Sequence, residues 1–232
     1  MIMNMNTSIK LSVIAIFTTL AIGCTSTNPT NAPQVSPEGM ELVKSTRSTV
    51  AYKKEGVDFS EYDKVQILPS AVAFKKNWQR DYNREQSSLS TRVRDKDVIR
   101  IKTQLAELFD EVFADEFGKG GKFPLVNEVS SNTLVIRPAI VDLNVSAPDL
   151  HSATNAKTFS NDAGQATLFL ELYDGVSGEL LARVVNASVA GDDSHYSWAT
   201  RVSNRADAKR MIRKWAKALR IKFDEAHMTQ TR

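Results

Sequence analysis

One stretch of the sequence brings two acids, a hydroxyl and an imidazole together, since Asp192, Asp193, Ser194 and His195 are consecutive. These residue types can bind a metal ion or activate a nucleophile. Adjacent side chains point in different directions, however, whereas a catalytic triad is assembled from distant parts of a fold. We therefore interpret residues 192–195 as a polar turn between a strand and a helix. Catalysis through this cluster is the weakest of the functional hypotheses.

The other residues suited to acid–base, metal or redox chemistry are scattered along the chain. His151 lies beside Asp149 in a polar stretch, and His227 lies in the C-terminal tail, so we expect both to be solvated. Cys24 is the only cysteine, which excludes internal disulfides and thiolate metal clusters. The sequence has no GxGxxG, GxSxG, HExxH or P-loop pattern. It therefore predicts no catalytic residue, no metal site and no cofactor.

Two aromatic residues in a basic stretch are candidates for binding a partner. Trp78 and Tyr82 stand among four bases, and aromatic faces with flanking cations stack on sugars or peptides. The alternative is that Trp78 covers an edge of the hydrophobic core. The four bases are Lys75, Lys76, Arg80 and Arg84.

The last predicted helix is strongly basic. Between residues 205 and 222 it carries eight bases against one acid, Asp207, a net charge of 8 − 1 = +7. We expect its basic face to meet anionic head groups or the acidic surface of a protein partner. The alternative is a solvated face that complements acids elsewhere in the fold. The candidate partner-binding residues are Arg210, Arg213, Lys214 and Lys217, and the other bases are Arg205, Lys209, Arg220 and Lys222.

A short apolar segment directly precedes Cys24. Residues 11–22 follow a single base, Lys10, and as a helix would be about 18 Å long, too short for a hydrocarbon core of about 30 Å. The segment fits a signal peptide, and residues 20–24 (LAIGC) resemble the lipobox of bacterial lipoproteins. This resemblance implies cleavage before Cys24, acylation of its thiol and, with Thr25 following, retention on the periplasmic face of the outer membrane. A conventionally cleaved leader with a free Cys24 thiol is the alternative.

Length and composition fit one domain of a soluble globular protein. The chain has 232 residues, of which 42% are hydrophobic and 25% charged. Without residues 1–23 the net charge is 29 − 27 = +2, which by itself favours neither nucleic acid nor an acidic substrate. We predict a signal peptide at 1–23, a lipidated cysteine and flexible tether at 24–50, one periplasmic domain at 51–227 and a tail at 228–232.

Hydrophobic periodicity predicts two helices in this domain. Apolar residues at steps of three and four from 98 to 117 predict an amphipathic helix that begins near Asp95 and ends at Gly118. A similar stripe from 208 to 223 predicts a second helix, which opens at Asn204 with Asp207 in a capping-box position. Residues 75–94 are polar and are predicted to form a long loop.

Alternating patterns predict the strands. They lie at 65–74, interrupted by Pro69, at 133–145, with a bulge at Pro138, and at 165–173 and 179–189, joined by a hairpin turn. Residues 48–52 form a possible edge strand. The expected fold class is α+β, with two layers: a mostly antiparallel sheet of about four to five strands packed by two amphipathic helices.

Several short stretches together resemble a known family. They are residues 58–62 (DFSEY), 72–78 (VAFKKNW), 137–142 (RPAIVD), 170–174 (LELYD) and 203–206 (SNRA) before a Trp-containing helix. The chain resembles the bacterial lipoproteins of domain of unknown function 3313 over roughly residues 52–223. The resemblance implies a single-domain envelope lipoprotein and carries no assigned activity, hence no catalytic residues.

Two functional hypotheses follow from the anchor and from the absence of catalytic patterns. The first is a non-enzymatic interaction module for an envelope protein or a cell-wall component, with no role in binding nucleic acid. The second is a periplasmic carrier or sensor of a lipid or small ligand, which would need an enclosed apolar cavity.

Overall fold

The computed structural model describes residues 32–119, 123–146, 148, 158–160, 164–190, 197–199 and 201–228. Cys24, His151 and residues 192–195 lie outside these ranges, and the side chains of 158–160, 189–190 and 197–204 are not described. The strands are β1 (Glu41–Ser45), β2 (Thr49–Lys53), β3 (Lys64–Ile67), β4 (Ala71–Phe74), β5 (Thr133–Val145), β6 (Thr158–Ser160), β7 (Gly164–Asp174), β8 (Leu180–Ala190) and β9 (Ser197–Ala199). The helices are α1 (Trp78–Arg84), α2 (Asp95–Gly118) and α3 (Arg201–Met228).

Seven of the described strands form one open sheet in the order β1-β2-β8-β7-β5-β3, with β4 also paired to β5. Most of the pairs are antiparallel, and the predicted β7–β8 hairpin is present. β3 and β4 instead pair parallel to β5, because α2 carries the chain back across the sheet between them. The α+β class is therefore confirmed, but the predicted number of four to five strands is wrong.

Helices α2 and α3 pack side by side on one face of the sheet. Their buried side chains follow the predicted stripes, and the predicted alternation of β7 places Ala166, Leu168, Leu170 and Leu172 against them. α2 contacts β3 and β4, whereas α3 contacts β8. α3 therefore lies under the half of the sheet that ends at β1. Among the described side chains, the buried apolar residues of these helices are Leu108, Phe109, Val112, Phe113 and Phe117 of α2, and Met211, Ile212, Trp215, Ala216 and Phe223 of α3.

The bulge in β5 lies at Asp142 and not at Pro138. Asp142 has a φ of 51°, and the register with β7 shifts between Val141 and Asn144. Pro138 continues the regular ladder opposite Leu170. Pro138 lies opposite the gap between β3 and β4. Its lack of an N–H therefore costs the sheet no hydrogen bond to either strand. The predicted rotation of the strand therefore occurs, four residues later than expected.

The segment predicted as a long loop at 75–94 contains a helix, so that prediction is wrong. Asn77 adopts a left-handed conformation, with a φ of 64°, and turns the chain directly into α1. A 3-10 turn follows at Leu89–Thr91. α1 could not be predicted from the sequence, because seven residues are too few to show a helical hydrophobic period and because contacts with the core stabilise the helix.

α3 begins at Arg201, three residues before the predicted start. Asp207 therefore lies inside the helix, where it is buried and pairs with Arg210 instead of capping the N-terminus. The last described residue is Met228, the first residue of the predicted tail.

His227 belongs to the last turn of α3 and is held by the fold. Its Nδ1 atom lies 2.7 Å from the carbonyl oxygen of Phe223, and its Nε2 atom lies 3.0 Å from that of Tyr62. The ring also packs at an angle against Phe123, with centroids 4.8 Å apart. The expectation that His227 is solvated is therefore wrong.

The folded part of the chain includes residues that were predicted to form a tether. β1 lies within 24–50, and β2 pairs with both β1 and β8, so the strand predicted at the edge is an interior one. Before β1, residues 34–42 fold back as a small hairpin, in which Leu42 donates its N–H to the carbonyl of Gln34 at 2.8 Å. The Tyr52 hydroxyl fixes the start of this hairpin by donating to the carbonyl of Pro33 at 3.1 Å. The predicted domain boundary at residue 51 thus lies inside the sheet.

Candidate functional site

The aromatic pair proposed as a binding loop is part of the packed structure. The Trp78 side chain stacks on Phe74, with ring centroids 4.1 Å apart, and its Nε1 donates to the carbonyl of Val145 at 3.3 Å. Tyr82 tilts against the same ring, with centroids 5.8 Å apart, and burial raises the pKa of its hydroxyl. Trp78 is only 5% exposed, so its ring is not available for stacking on a ligand and instead covers the edge of the core.

We expect Trp78→Phe to lower the free energy of unfolding by about 1 kcal/mol, because the Val145 carbonyl loses its donor while the stacking on Phe74 persists. Chemical denaturation followed by circular dichroism measures this difference. The matched control is Tyr82→Phe, for which we expect less than about 0.5 kcal/mol. A Trp78→Phe protein as stable as the wild type would contradict this account of Trp78.

Five of the eight bases that α3 carries between residues 205 and 222 are paired with acids. Arg205 and Lys209 contact Glu111 of α2 at 3.3 and 3.0 Å, and these cations lower the pKa of Glu111, with the Lys209 hydrogen bond as the main cause. Arg210 pairs with Asp207. Arg220 contacts Glu116 at 3.4 Å and Asp224 at 2.9 Å, and Lys222 contacts Glu225 at 2.6 Å. This part of the basic helix complements acids of the fold, as the alternative interpretation holds.

The remaining three bases, Arg213, Lys214 and Lys217, have no acid within 4.0 Å among the residues that the structure describes. Lys214 and Lys217 are exposed, and Arg213 is half-buried. The Nε atom of Arg213 is buried without a hydrogen-bond partner in the same part of the chain. These cations therefore supply charge that the described fold leaves unneutralised.

A line of exposed side chains continues from these bases along α3. Arg210, Lys214, Lys217 and Ile221 follow one another at spacings of four, three and four residues, which places them on one side of the helix. Seven residues beyond Ile221, Met228 returns to the same side. Ile221 and Met228 are 39% and 62% exposed. We call this surface the outer face of α3; it comprises Arg210, Arg213, Lys214, Lys217, Ile221 and Met228.

A cluster of charges that was not predicted from the sequence lies on the sheet face away from α2 and α3. Its centre is Glu171 of β7, whose side chain is 3% exposed. Glu171 accepts hydrogen bonds from Arg137 Nε at 2.9 Å and from Arg137 Nη2, from the Tyr173 hydroxyl at 2.8 Å, and from Arg183 Nε and Nη2 at 3.1 and 2.8 Å. Arg183 Nη1 also donates to Glu38 at 2.8 Å, which ties the N-terminal hairpin to this face. We call these five residues the Glu171 cluster.

The hydrogen-bonding positions of the Glu171 carboxylate are all occupied. Burial opposes the ionisation of Glu171, but the hydrogen bonds from Arg183, Tyr173 and Arg137 outweigh that effect and hold its pKa below the ordinary value. Burial, together with the hydrogen bond to Glu171, raises the pKa of Tyr173. Five donors already occupy a group with about four lone-pair positions. The cluster therefore cross-links three strands and offers neither a free base nor an acid to a substrate.

A signal for this cluster was present in the sequence. Arg137, Glu171 and Arg183 each interrupt an apolar strand pattern at a position that alternation assigns to the face away from the core. Arg137 and Glu171 also fall within two of the stretches that carry the family resemblance. What the sequence lacked was the register, which places the three residues side by side on β5, β7 and β8.

Metal binding and membrane crossing can be assessed for the described part of the chain. There, no three His, Cys, Asp or Glu side chains are grouped so that they could hold a metal ion. No helix in that part combines the length and the apolar character needed to cross a bilayer.

The family model for proteins of unknown function DUF3313 matches residues 35–219. The chain belongs to this family. The match begins in the N-terminal hairpin and ends in α3, so it includes the seven-stranded sheet, α1, α2 and the Glu171 cluster. The predicted membership of domain of unknown function 3313 is thereby confirmed, and the DUF3313 assignment itself brings no activity. No curated protein matches the chain.

Solved structures similar to this DUF3313 protein are distant. Protein XCC0632 of Xanthomonas campestris, from family DUF330, is 9% identical with a TM-score of 0.40, and the match covers 76% of this chain and 92% of that one. PelC from Paraburkholderia phytofirmans, solved as a dodecamer, is 12% identical with a TM-score of 0.36, over 73% and 95% of the two chains. The hypothetical protein CT253 of Chlamydia trachomatis is 11% identical with a TM-score of 0.33, over 68% and 94%. Likenesses at this level carry no information about function.

Proposed function

We propose that this DUF3313 protein is a lipoprotein, held through acyl chains on Cys24 at the periplasmic face of the outer membrane, and that it serves there as a non-enzymatic interaction module. The apolar segment at 11–22, followed by the only cysteine of the chain, supports the anchor. Several acyl chains give stable anchoring where one would be marginal. The proposed binding surface is the outer face of α3, and its partner is an anionic component of the envelope.

The observation that carries this proposal is a group of like charges on α3, of which Arg213, Lys214 and Lys217 have no acid within 4.0 Å among the described residues. Four pairs of like charges lie three or four residues apart on this helix. They are Arg210 with Arg213, Arg210 with Lys214, Arg213 with Lys217, and Lys214 with Lys217. Each such pair destabilises a helix by roughly 0.2–0.5 kcal/mol. Only Arg210 has an acid of its own in the described chain, so an anionic partner would relieve the repulsion among the rest.

The packing of the interior favours an interaction module over a carrier of a lipid or small ligand. A carrier requires an enclosed apolar cavity. The space between α2, α3 and the sheet is instead filled by Phe109, Phe113, Phe117, Ile212 and Trp215, each at most 6% exposed. The Glu171 cluster, whose carboxylate is saturated by its own neighbours, likewise supports a non-enzymatic role.

Photo-crosslinking in intact cells tests the proposal. A crosslinking residue placed at Lys214 or Lys217 is expected to capture one defined envelope component, and a Cys24→Ser substitution is expected to abolish that adduct. The matched control position is Val176, which is 72% exposed in the β7–β8 turn, outside α3. The same adducts at Val176, or adducts that survive Cys24→Ser, would show that the capture does not depend on this surface or on the anchor.

A further inference from the structure

We infer that the partner of the outer face of α3 is the anionic lipid surface of the membrane that holds the anchor. The inference rests on the proposed function, because it names the partner of the same surface. A membrane surface presents phosphate-bearing head groups above an apolar phase of acyl chains. The basic half of the outer face of α3 suits the head groups, and its apolar half suits the acyl chains.

The first half of this face supplies mobile positive charge. Lys214 and Lys217 are exposed and have no acid within 4.0 Å among the described residues. A lysine ammonium is a compact charge on a flexible stem, suited to head groups that move. Protein–protein interfaces, by contrast, are depleted in lysine relative to the rest of the surface. The residue types therefore favour lipid over the acidic face of a protein.

The second half supplies exposed apolar side chains on the same side of the helix. Ile221 follows Lys217 by one turn, and Met228 follows two turns later. Cations beside exposed apolar residues are the arrangement by which surface helices bind the boundary between head groups and acyl chains. The neighbouring acids do not oppose this contact, since Asp224 is paired with Arg220 and Glu225 with Lys222.

The topology places this face near the membrane. The Tyr52 hydroxyl holds Pro33 at the β1–β2 edge of the sheet. Eight residues separate Pro33 from Cys24, so nine Cα-to-Cα steps connect them. Nine steps span about 30 Å at most. α3 packs under β8, which is two strands from β1 in the same sheet, a lateral distance of about 10 Å. α2 lies under β3 and β4 at the far side of the sheet. An anchored molecule can therefore bring α3 to the bilayer more readily than α2.

The test uses the full lipidated protein in vesicles and measures the contact at Ile221. Because Cys24 is the only native cysteine and its thiol is acylated, Ile221→Cys can be labelled at one position with an environment-sensitive fluorophore. The probe surfaces are neutral phosphatidylcholine vesicles and vesicles that also contain phosphatidylglycerol, each with brominated acyl chains as quenchers. We expect quenching at Ile221 with the anionic vesicles and little with the neutral ones, and a loss of quenching at high salt.

A double substitution, Lys214→Glu with Lys217→Glu, is expected to shift the contact equilibrium by roughly thirtyfold or more toward the free state. The matched control is Lys75→Glu with Lys76→Glu, which changes the net charge equally at two exposed residues outside α3 and should leave the quenching unchanged. A label at Val176→Cys should remain unquenched with both vesicle types.

The outcomes separate this inference from the anchor on which it depends. If the protein stays with neutral vesicles but Ile221 shows equal quenching, or none, on both surfaces, the anchor stands and the specific contact with anionic lipid is refuted. If Lys214→Glu with Lys217→Glu has no effect, the inference is also refuted. Cellular adducts at Lys214 that contain a protein instead of a lipid would assign the face to that protein. A chain that leaves both kinds of vesicle would refute the anchor together with the inference.

Discussion

Replacing Glu171 with alanine is expected to lower the free energy of unfolding by about 3 kcal/mol. The substitution removes a carboxylate that is 3% exposed and accepts five hydrogen bonds, and it leaves the guanidinium of Arg183, itself only 19% exposed, without its main partner. Breaking a buried ion pair by removing one partner costs about 3–5 kcal/mol. We place the effect at the lower limit because the Arg137 side chain is 56% exposed and water can solvate it. Urea denaturation measures the loss.

The control for this substitution is Glu179→Ala, which removes a carboxylate paired with Lys54 at the surface. Both side chains of that pair are about half exposed, so we expect a change below about 1 kcal/mol. Equal effects of the two substitutions would show that the Glu171 cluster is no more important than a surface ion pair.

The pH dependence of stability gives a second measure of the same cluster. The pKa of Glu171 is lower in the folded protein than its ordinary value of about 4.5, so its contribution is complete above that value and is lost as the pH falls through the folded-state pKa. Glu171→Gln has no carboxylate to protonate. The stability difference between wild type and Glu171→Gln should therefore be largest near neutral pH and narrow below about pH 4.5. A difference that stays constant with pH would contradict the ionised state assigned to Glu171.

Phe113→Ala is expected to have an equal or larger effect, about 3–5 kcal/mol. Phe113 is fully buried on α2, stacked on Phe109 with ring centroids 4.1 Å apart, and Phe117 lies 6.4 Å away on the next turn. Truncation removes these ring contacts and leaves a cavity between α2 and the sheet that two rigid layers cannot close. The matched substitution is Ile99→Ala on the same helix, where the side chain is 65% exposed and we expect less than about 0.5 kcal/mol. Similar losses at both positions would mean that helix propensity, and not packing, dominates α2.

The elements that could be predicted are those with a long and regular hydrophobic period. The α2 stripe ends in Phe109, Phe113 and Phe117, and all three are fully buried as the spacing required. The β7–β8 hairpin followed from clean alternation around Asp174 and Gly175, where two strands adjacent in the chain form a local pair. In both cases the information lies within about ten to twenty neighbouring residues.

The elements that could not be predicted depend on partners distant in the chain. β1 consists mostly of exposed residues, and it joins the sheet through β2, which in turn pairs with β8. The parallel pairing of β3 and β4 with β5 follows from the path of α2, which no local pattern encodes. The shift at Asp142 is a backbone conformation with positive φ that the neighbouring proline obscured.

The candidate site was predictable in part for the same reason. The concentration of bases on α3 is visible in the sequence, but Glu111 and Glu116 of α2, which pair with Arg205, Lys209 and Arg220, are about a hundred residues away. Only the packing of the two helices shows which cations remain without an acid. The Glu171 cluster needed the register of three strands in addition.

The position of β2 in the sheet constrains the order in which the protein folds. Thr49 of β2 pairs with Asn186 of β8, so 137 residues separate the two strands. Closing so long a loop is entropically costly, whereas the β7–β8 hairpin is local and can form early. A β1–β2 hairpin alone is marginal in water. β1 and β2 are therefore synthesised first but join the sheet last. In a nascent chain, the edge of β2 that pairs with β8 stays unpaired until β8 has been synthesised. Truncation before residue 180 would leave that edge permanently open, and an open strand edge is a site of aggregation.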